Sequence, residues 1–307
     1  MERLWLWVAG NISGLSASHR DAMMRKHGLS AEQLVAVAAS ANARYVALDA
    51  AQRESPPFIN SADWMHLPLM GYPDFSVWQP YLDEILSHPA PGLFRMRHNF
   101  RATINVSGFQ VTSWFDIFQT SVIAAFKEIQ ARVGNQRLWI GPNAHYFVYE
   151  NKFWPRDRYF EWFDYWLKGV PGEIAGEPAV FYSPRCWIDD TETYVANDWQ
   201  YAEHWPPSDT ISRRRYLTGD GRLSAEGPSG NARSFLYDPQ HPIPTCGGRN
   251  MLIEAGSRDQ RPIQALPNYG LTYQSEILDE SLIIGGAVSV TLHIQSNCRD
   301  ADFVASL

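Results

Sequence analysis

INVSGFQVTSWFDIFQTSVIAAFKEIQARVGNQRLWIGPNAH, residues 104–145, is the stretch on which the fold turns. Ile104 to Phe109 reads as a short strand ending in a polar turn. Ile117 to Arg132 then places Phe118, Val122, Phe126, Ile129 and, just beyond, Val133 on one helical face. Arg137 to Pro142 is a second strand, apolar enough to be buried. Farther on, Trp154 to Lys168 reads as an aromatic helix stopped by Gly169 and Pro171. Strand, helix, strand, helix within about 70 residues is the pattern of a parallel α/β sheet. Two strands alone cannot make a doubly covered sheet, so this stretch is part of a larger one.

The sequence changes character on either side. Residues 1–100 read as helices and loops. Ser16 to His27 is a polar helix that Gly28 can close. Ser30-Ala31-Glu32-Gln33 is a capping box opening an Ala-rich helix that runs to about Ala50. Arg53 to Phe75, with four prolines, reads as a long loop, and Val77 to His88 as a helix. From Pro178 onward no helical period survives. Val180–Tyr182, Arg215–Leu217, Ser234–Tyr237, Met251–Ile253, Leu271–Tyr273 and Val288–Ile294 read as strands between turns, the pattern of a β-sandwich or jelly roll. Asp302 to Leu307 reads as the opening of another strand, which leads us to expect a truncated chain.

The 307 residues carry 26 Lys+Arg against 33 Asp+Glu, a formal net charge of -7. With no basic run, this balance lacks the footprint of a nucleic-acid binder. No apolar stretch approaches the roughly 18–20 residues of a membrane span. Met1 to Ser18 makes a poor signal peptide, with Glu2, Arg3 and two Trp, so a cytoplasmic location is expected. Cys186, Cys246 and Cys298 show neither a disulfide framework nor zinc spacing. The 12 Trp, 14 Tyr and 15 Phe are mostly core, with a few left to line an apolar pocket.

Working residues of α/β enzymes sit where strands end. Asp116 follows the first strand and His145 the second. An Asp and then a His, in that order, match the last two members of an α/β-hydrolase triad, in which the carboxylate fixes the imidazole tautomer that takes the Ser proton. Other clusters weigh less. Asp189, Asp190 and Glu192 read as solvated acids rather than a metal site. His204 reads as packing beside Trp205, and Arg258, Asp259 and Arg261 as mutual pairing at a turn. Trp154, Trp162 and Trp166 read as core, and Asp157 and Asp164 as solvent-facing.

Ser-Trp-Phe-Asp-Ile-Phe at 113–118, Gly-Pro-x-x-His at 141–145 and Trp-Leu-Lys-Gly at 166–169 resemble the cocaine-esterase / X-prolyl dipeptidyl-peptidase family of serine hydrolases. Tyr237-Asp238-Pro239, Pro242 to Asn250, Asp259 to Pro262, Gly286 to Leu292 and Asp300 to Val304 are similar to that family's C-terminal turns and strands. The resemblance implies a helical cap at 1–100, the back of an α/β-hydrolase core at 101–177 and an incomplete jelly roll, galactose-binding-like, at 178–307. It implies Asp116 as triad acid and His145 as triad base, no cofactor or metal, and a small ester, amide or short-peptide substrate. It also implies self-association into a homo-oligomer. Ser113 stands where the family usually has Gly. A G-x-S-x-G elbow is missing: Ser13 and Ser229 lack the glycine frame, and Ser107 falls in the expected strand 104–109. The nucleophile is therefore expected outside the chain, and the chain alone is expected to be inactive and poorly soluble. The competing expectation is a fragment or pseudo-enzyme whose jelly roll acts as a binding module.

Overall fold

The computed structural model describes residues 17–36, 38–40, 43, 86–90, 92–96, 99–145, 156–184, 187–188, 194–195, 199–238, 243–250, 255–266, 270–299 and 301–307. The chain divides into two compact units, Met1–Thr103 with Asp238–Pro244 and Ile104–Tyr237 with Thr245–Leu307. In the first, helix α1 (Ala17–His27) ends at Gly28, whose φ of 62° lets Leu29 N–H reach back to Met24 O at 3.0 Å. The capping box at Ser30 forms in both directions. Gln33 N–H donates to Ser30 Oγ at 3.1 Å, and Ser30 N–H donates to Gln33 Oε1 at 2.8 Å. The loop expected at 53–75 and nearly all of the helix expected at 77–88 lie outside the described residues.

The second unit holds the sheet. Strand β1 (Gly108–Phe115) pairs in parallel with β2 (Gln136–Ala144), and helix α2 (Gln119–Val133) connects them. The first strand thus starts four residues later than expected. Gln136 contributes to this shift: its amide donates to Val106 O and Gly134 O, tying 104–107 down as an approach to the sheet. Strand β3 (Val180–Tyr182) pairs in parallel with β2, and β6 (Gln200–Ala202) closes the order β1-β2-β3-β6 in antiparallel register. The strand expected at 180–182 as the start of the jelly roll therefore belongs to the α/β sheet. Its sequence explains the placement, because Val180 is fully buried beside Leu138 and Ile140.

Each face of the sheet has its own cover. Phe126 and Ile129 of α2 are buried on the side of Leu138, Ile140 and Val180, with Trp205 closing that cluster. On the other side helix α3 (Arg156–Lys168) brings Tyr159 and Trp162 onto Phe109, at ring separations of 4.6 and 5.7 Å. Beside it Trp139, Phe181, Trp199 and Tyr201 stack across three strands. Trp162 is core as expected, and Asp164 faces solvent on an ion pair with Lys168 at 2.6 Å; Trp154 lies outside the described residues. Arg137 is buried in β2. Its guanidinium donates to the carbonyl oxygens of Ile174 and Pro178 and lies 3.7 Å from Glu177, which also pairs with Arg158. Burial pulls the Arg137 guanidinium below its ordinary pKa, and Glu177 pulls it back up.

Outside this four-stranded sheet the described residues hold short ladders. β4 (Trp187–Ile188) pairs with β5 (Tyr194–Val195), and β7 (Tyr216–Leu217) pairs with β8 (Leu223–Ser224), both antiparallel. Isolated bridges join Arg222 to Gln274 and Gly248 to Gly256. The strands expected at 234–237 and 288–294 do not form ladders. Leu236, Val288, Val290, Leu292 and Ile294 are all exposed, so the burial that would hold a strand against a second sheet is missing there. The strand expected at 251–253 lies outside the described residues.

Candidate active site

Asp116 and His145 leave the carboxyl ends of the neighbouring parallel strands β1 and β2. Between them the register slips: Ser113 faces Gly141, yet Phe115 faces Ala144, so β2 carries one extra residue. Pro142 lies in that interval. It has no N–H to give a ladder, which suits a bulge, and bulges turn the side chains that follow them. The result is a contact. His145 Nδ1 lies 2.9 Å from Asp116 Oδ1. A carboxylate oxygen only accepts, so Nδ1 carries the hydrogen and Nε2 of the neutral ring is left with its lone pair.

The acid is fixed from several directions. Asp116 is buried. Phe118 N–H donates to its Oδ1 at 2.9 Å, an Asx turn at the entry to α2, and Thr112 Oγ1, fully buried, donates weakly to Oδ2 at 3.4 Å. Gln119 N–H donates to Asp116 O at 3.1 Å. The Phe118 ring stands edge-on against the imidazole, 5.3 Å between centroids at 75°. Sequence reasoning missed Phe118 and Thr112. A signal for the first was present, since an Asp just ahead of a helix commonly turns its carboxylate onto the following amides.

The remaining candidates fall elsewhere. Ser107 is not in a strand: it precedes β1, at the end of the sheet opposite Asp116, whereas an elbow follows a strand. Ser229 is exposed, and its carbonyl accepts from Gly219 N–H at 2.7 Å. Ser13, Asp189, Asp190, Glu192 and Cys186 lie outside the described residues. Among the described residues no group of three or more His, Cys, Asp or Glu could hold a metal ion, and no helix is long and apolar enough to cross a membrane. His204 is exposed beside Trp205, which packs on Trp114 and Tyr182. Asp259 pairs with Arg261 at 2.7 Å, as the turn reading anticipates.

Residues 182–307 match the C-terminal non-catalytic domain of X-Pro dipeptidyl-peptidase. A cocaine esterase of Rhodococcus is 31% identical over 157 residues, 47% of this chain and 26% of that protein. Over these matched stretches the chain is similar to the cocaine-esterase / X-prolyl dipeptidyl-peptidase family. A Mycobacterium bovis protein named as a candidate serine esterase is 29% identical over 147 residues, 47% of this chain and 22% of that protein. The chain therefore spans about a quarter of the length of these relatives. A crystal structure of a CocE/NonD family hydrolase from Staphylococcus aureus aligns with a TM-score of 0.41 and 17% identity, over 50% of this chain and 28% of the other. At that level the likeness carries no argument. The chain combines a mixed sheet covered by helices with a C-terminal region that matches the non-catalytic domain of X-Pro dipeptidyl-peptidase.

Proposed function

We propose that this chain supplies the acid and the base of a Ser-His-Asp triad that transfers an acyl group to water. The observation that carries the reading is the 2.9 Å contact from His145 Nδ1 to Asp116 Oδ1 at adjacent strand ends. Nε2 takes the proton of a serine hydroxyl as that oxygen attacks an ester or amide carbonyl. Asp116 stabilises the imidazolium that forms, and the imidazolium then protonates the leaving group. Water, deprotonated by the same Nε2, releases the acid. No step requires a metal or organic cofactor. The serine is assigned to sequence outside residues 1–307, which contain no G-x-S-x-G elbow. The substrate class is a small ester, amide or short peptide, residues 1–100 act as a cap, and 178–307 contribute to a jelly roll. A self-associating cytoplasmic enzyme completes the reading. The family's description of 182–307 as non-catalytic favours a second role for that region, as a binding module.

The test joins the chain, in one reading frame, to a segment bearing the elbow and follows hydrolysis of p-nitrophenyl butyrate. Turnover is expected in the joined protein and absent from residues 1–307 alone. His145→Ala and Asp116→Asn should each lower kcat by about 10⁴-fold. Turnover that survives His145→Ala, or robust turnover by residues 1–307 alone, would refute the assignment.

A further inference from the structure

The C-terminal region touches the turn that carries Asp116. Cys246 to Asn250 forms a tight loop closed on 255–260. Gly248 and Gly256 exchange N–H to O bonds of 2.6 and 3.0 Å, Gln260 Nε2 donates to Cys246 O at 2.9 Å, and Asn250 Nδ2 donates to Gly247 O at 2.8 Å. From this loop Arg249 reaches the first turn of α2. One nitrogen, Nη1, donates to Gln119 Oε1 at 3.0 Å and to Thr120 Oγ1 at 2.7 Å.

The placement runs against the usual preference. A cation at a helix N-terminus opposes the macrodipole. The first turn of α2 has no acidic residue, and its N-cap, Phe118, makes no side-chain capping bond. Gln119, one of the two residues that hold Arg249, donates its backbone N–H to the carbonyl of Asp116, three residues ahead of it. The two residues that hold Arg249 are thus bonded, directly or through the next residue, to the turn that aims the acid at His145.

We infer that Arg249 is a positioning residue for Asp116: the loop 246–250 pins the first turn of α2, and through it the Asp116 backbone and Oδ1, in the geometry that meets His145. This inference rests on the triad reading for its meaning, but it makes its own structural demand. Because a single nitrogen makes both bonds, a lysine ammonium can replace it.

Amide hydrogen exchange followed by mass spectrometry on the 307-residue chain tests the tether without turnover. Arg249→Ala is expected to speed exchange in peptides spanning 116–122 by about tenfold and to leave 126–133 unchanged. Arg249→Lys is expected to restore protection. Gln119→Ala with Thr120→Val, Arg249 being intact, should reproduce the local effect. Asp116→Ala serves as the control, since removing the acceptor of Phe118 N–H opens the same turn whatever Arg249 does. Unchanged exchange at 116–122 in Arg249→Ala, acceleration spread over all of α2, or no recovery in Arg249→Lys would each overturn the inference. Failed hydrolysis in the joined enzyme would remove the triad and leave these exchange rates standing.

Discussion

Ser113 and Gly141 face each other across β1 and β2, one level below Asp116 and His145. A Cβ on Gly141 would come within 3.3 Å of Ser113 Oγ and 3.9 Å of Thr112 O, so the pair has space for one side chain. This is how the chain accommodates a serine at a position where the family resemblance leads one to expect glycine. The backbone at 113 is ordinary strand; among the described residues Asn135 is the non-glycine with positive φ. Gly141→Ala is expected to cost about 1 kcal/mol through overpacking. In a Ser113→Gly background that cost should nearly vanish, read as the shift in urea midpoint, and strictly additive costs would contradict the account. Asp259 offers a second test at this scale. Hydrogen bonds from Arg261 hold its carboxyl down to about 2 from an ordinary 3.8. A lowered folded-state pKa means the pair contributes above pH 4 and is lost as pH falls through about 2. Carbon NMR of the Asp259 carboxyl should titrate near that value, and Arg261→Gln should return it toward the ordinary one.

At the scale of elements, Arg137 joins three pieces of chain. It satisfies the carbonyls of Ile174 and Pro178, faces Glu177, and lies 5.8 Å from the Trp162 ring centre on α3. Arg137→Met would leave two carbonyls without their donor and Glu177 with Arg158 as its remaining cation, and we expect a loss of about 3 kcal/mol by urea denaturation. Glu177→Gln, which keeps a polar partner, should cost less. Nothing in the sequence flags this residue, because an Arg opening an apolar strand reads as a charged strand end. By contrast α2 and α3 were plain from their apolar spacing, and the two caps at Gly28 and Ser30 from their residue types. Those signals are local. The start of β1 was misread because Ile104-Asn105-Val106 has strand composition, while the decisive contacts come from Gln136, about 30 residues away.

At the scale of the molecule, the carboxylate and imidazole could be found from sequence because each follows its strand directly. Their meeting could not, since it depends on a one-residue slip in β2. The β region shows the same limit from the other side. Alternation in Val288 to Ile294 predicts a strand that does not form, because pairing is decided by distant partners, and in the described structure these side chains stay in water. The border between core and C-terminal region was drawn from composition at 177/178. The hydrogen bonding disregards it, because β3 and β6 extend the α/β sheet to Ala202.

That last feature bears on how such proteins can be recombined. The match to the family's non-catalytic domain begins at Tyr182, the final residue of β3, and β6 lies wholly within it. A chimera exchanged at that point would keep the native third strand but take its antiparallel neighbour from the donor, and with it Tyr201 against Phe181. The two parts are therefore inherited most safely as a joined pair. A crossover placed at 175–176, ahead of β3, would carry the seam across intact and keep Ile174 with Arg137, but would take Glu177 and Pro178, the other partners of Arg137, from the donor.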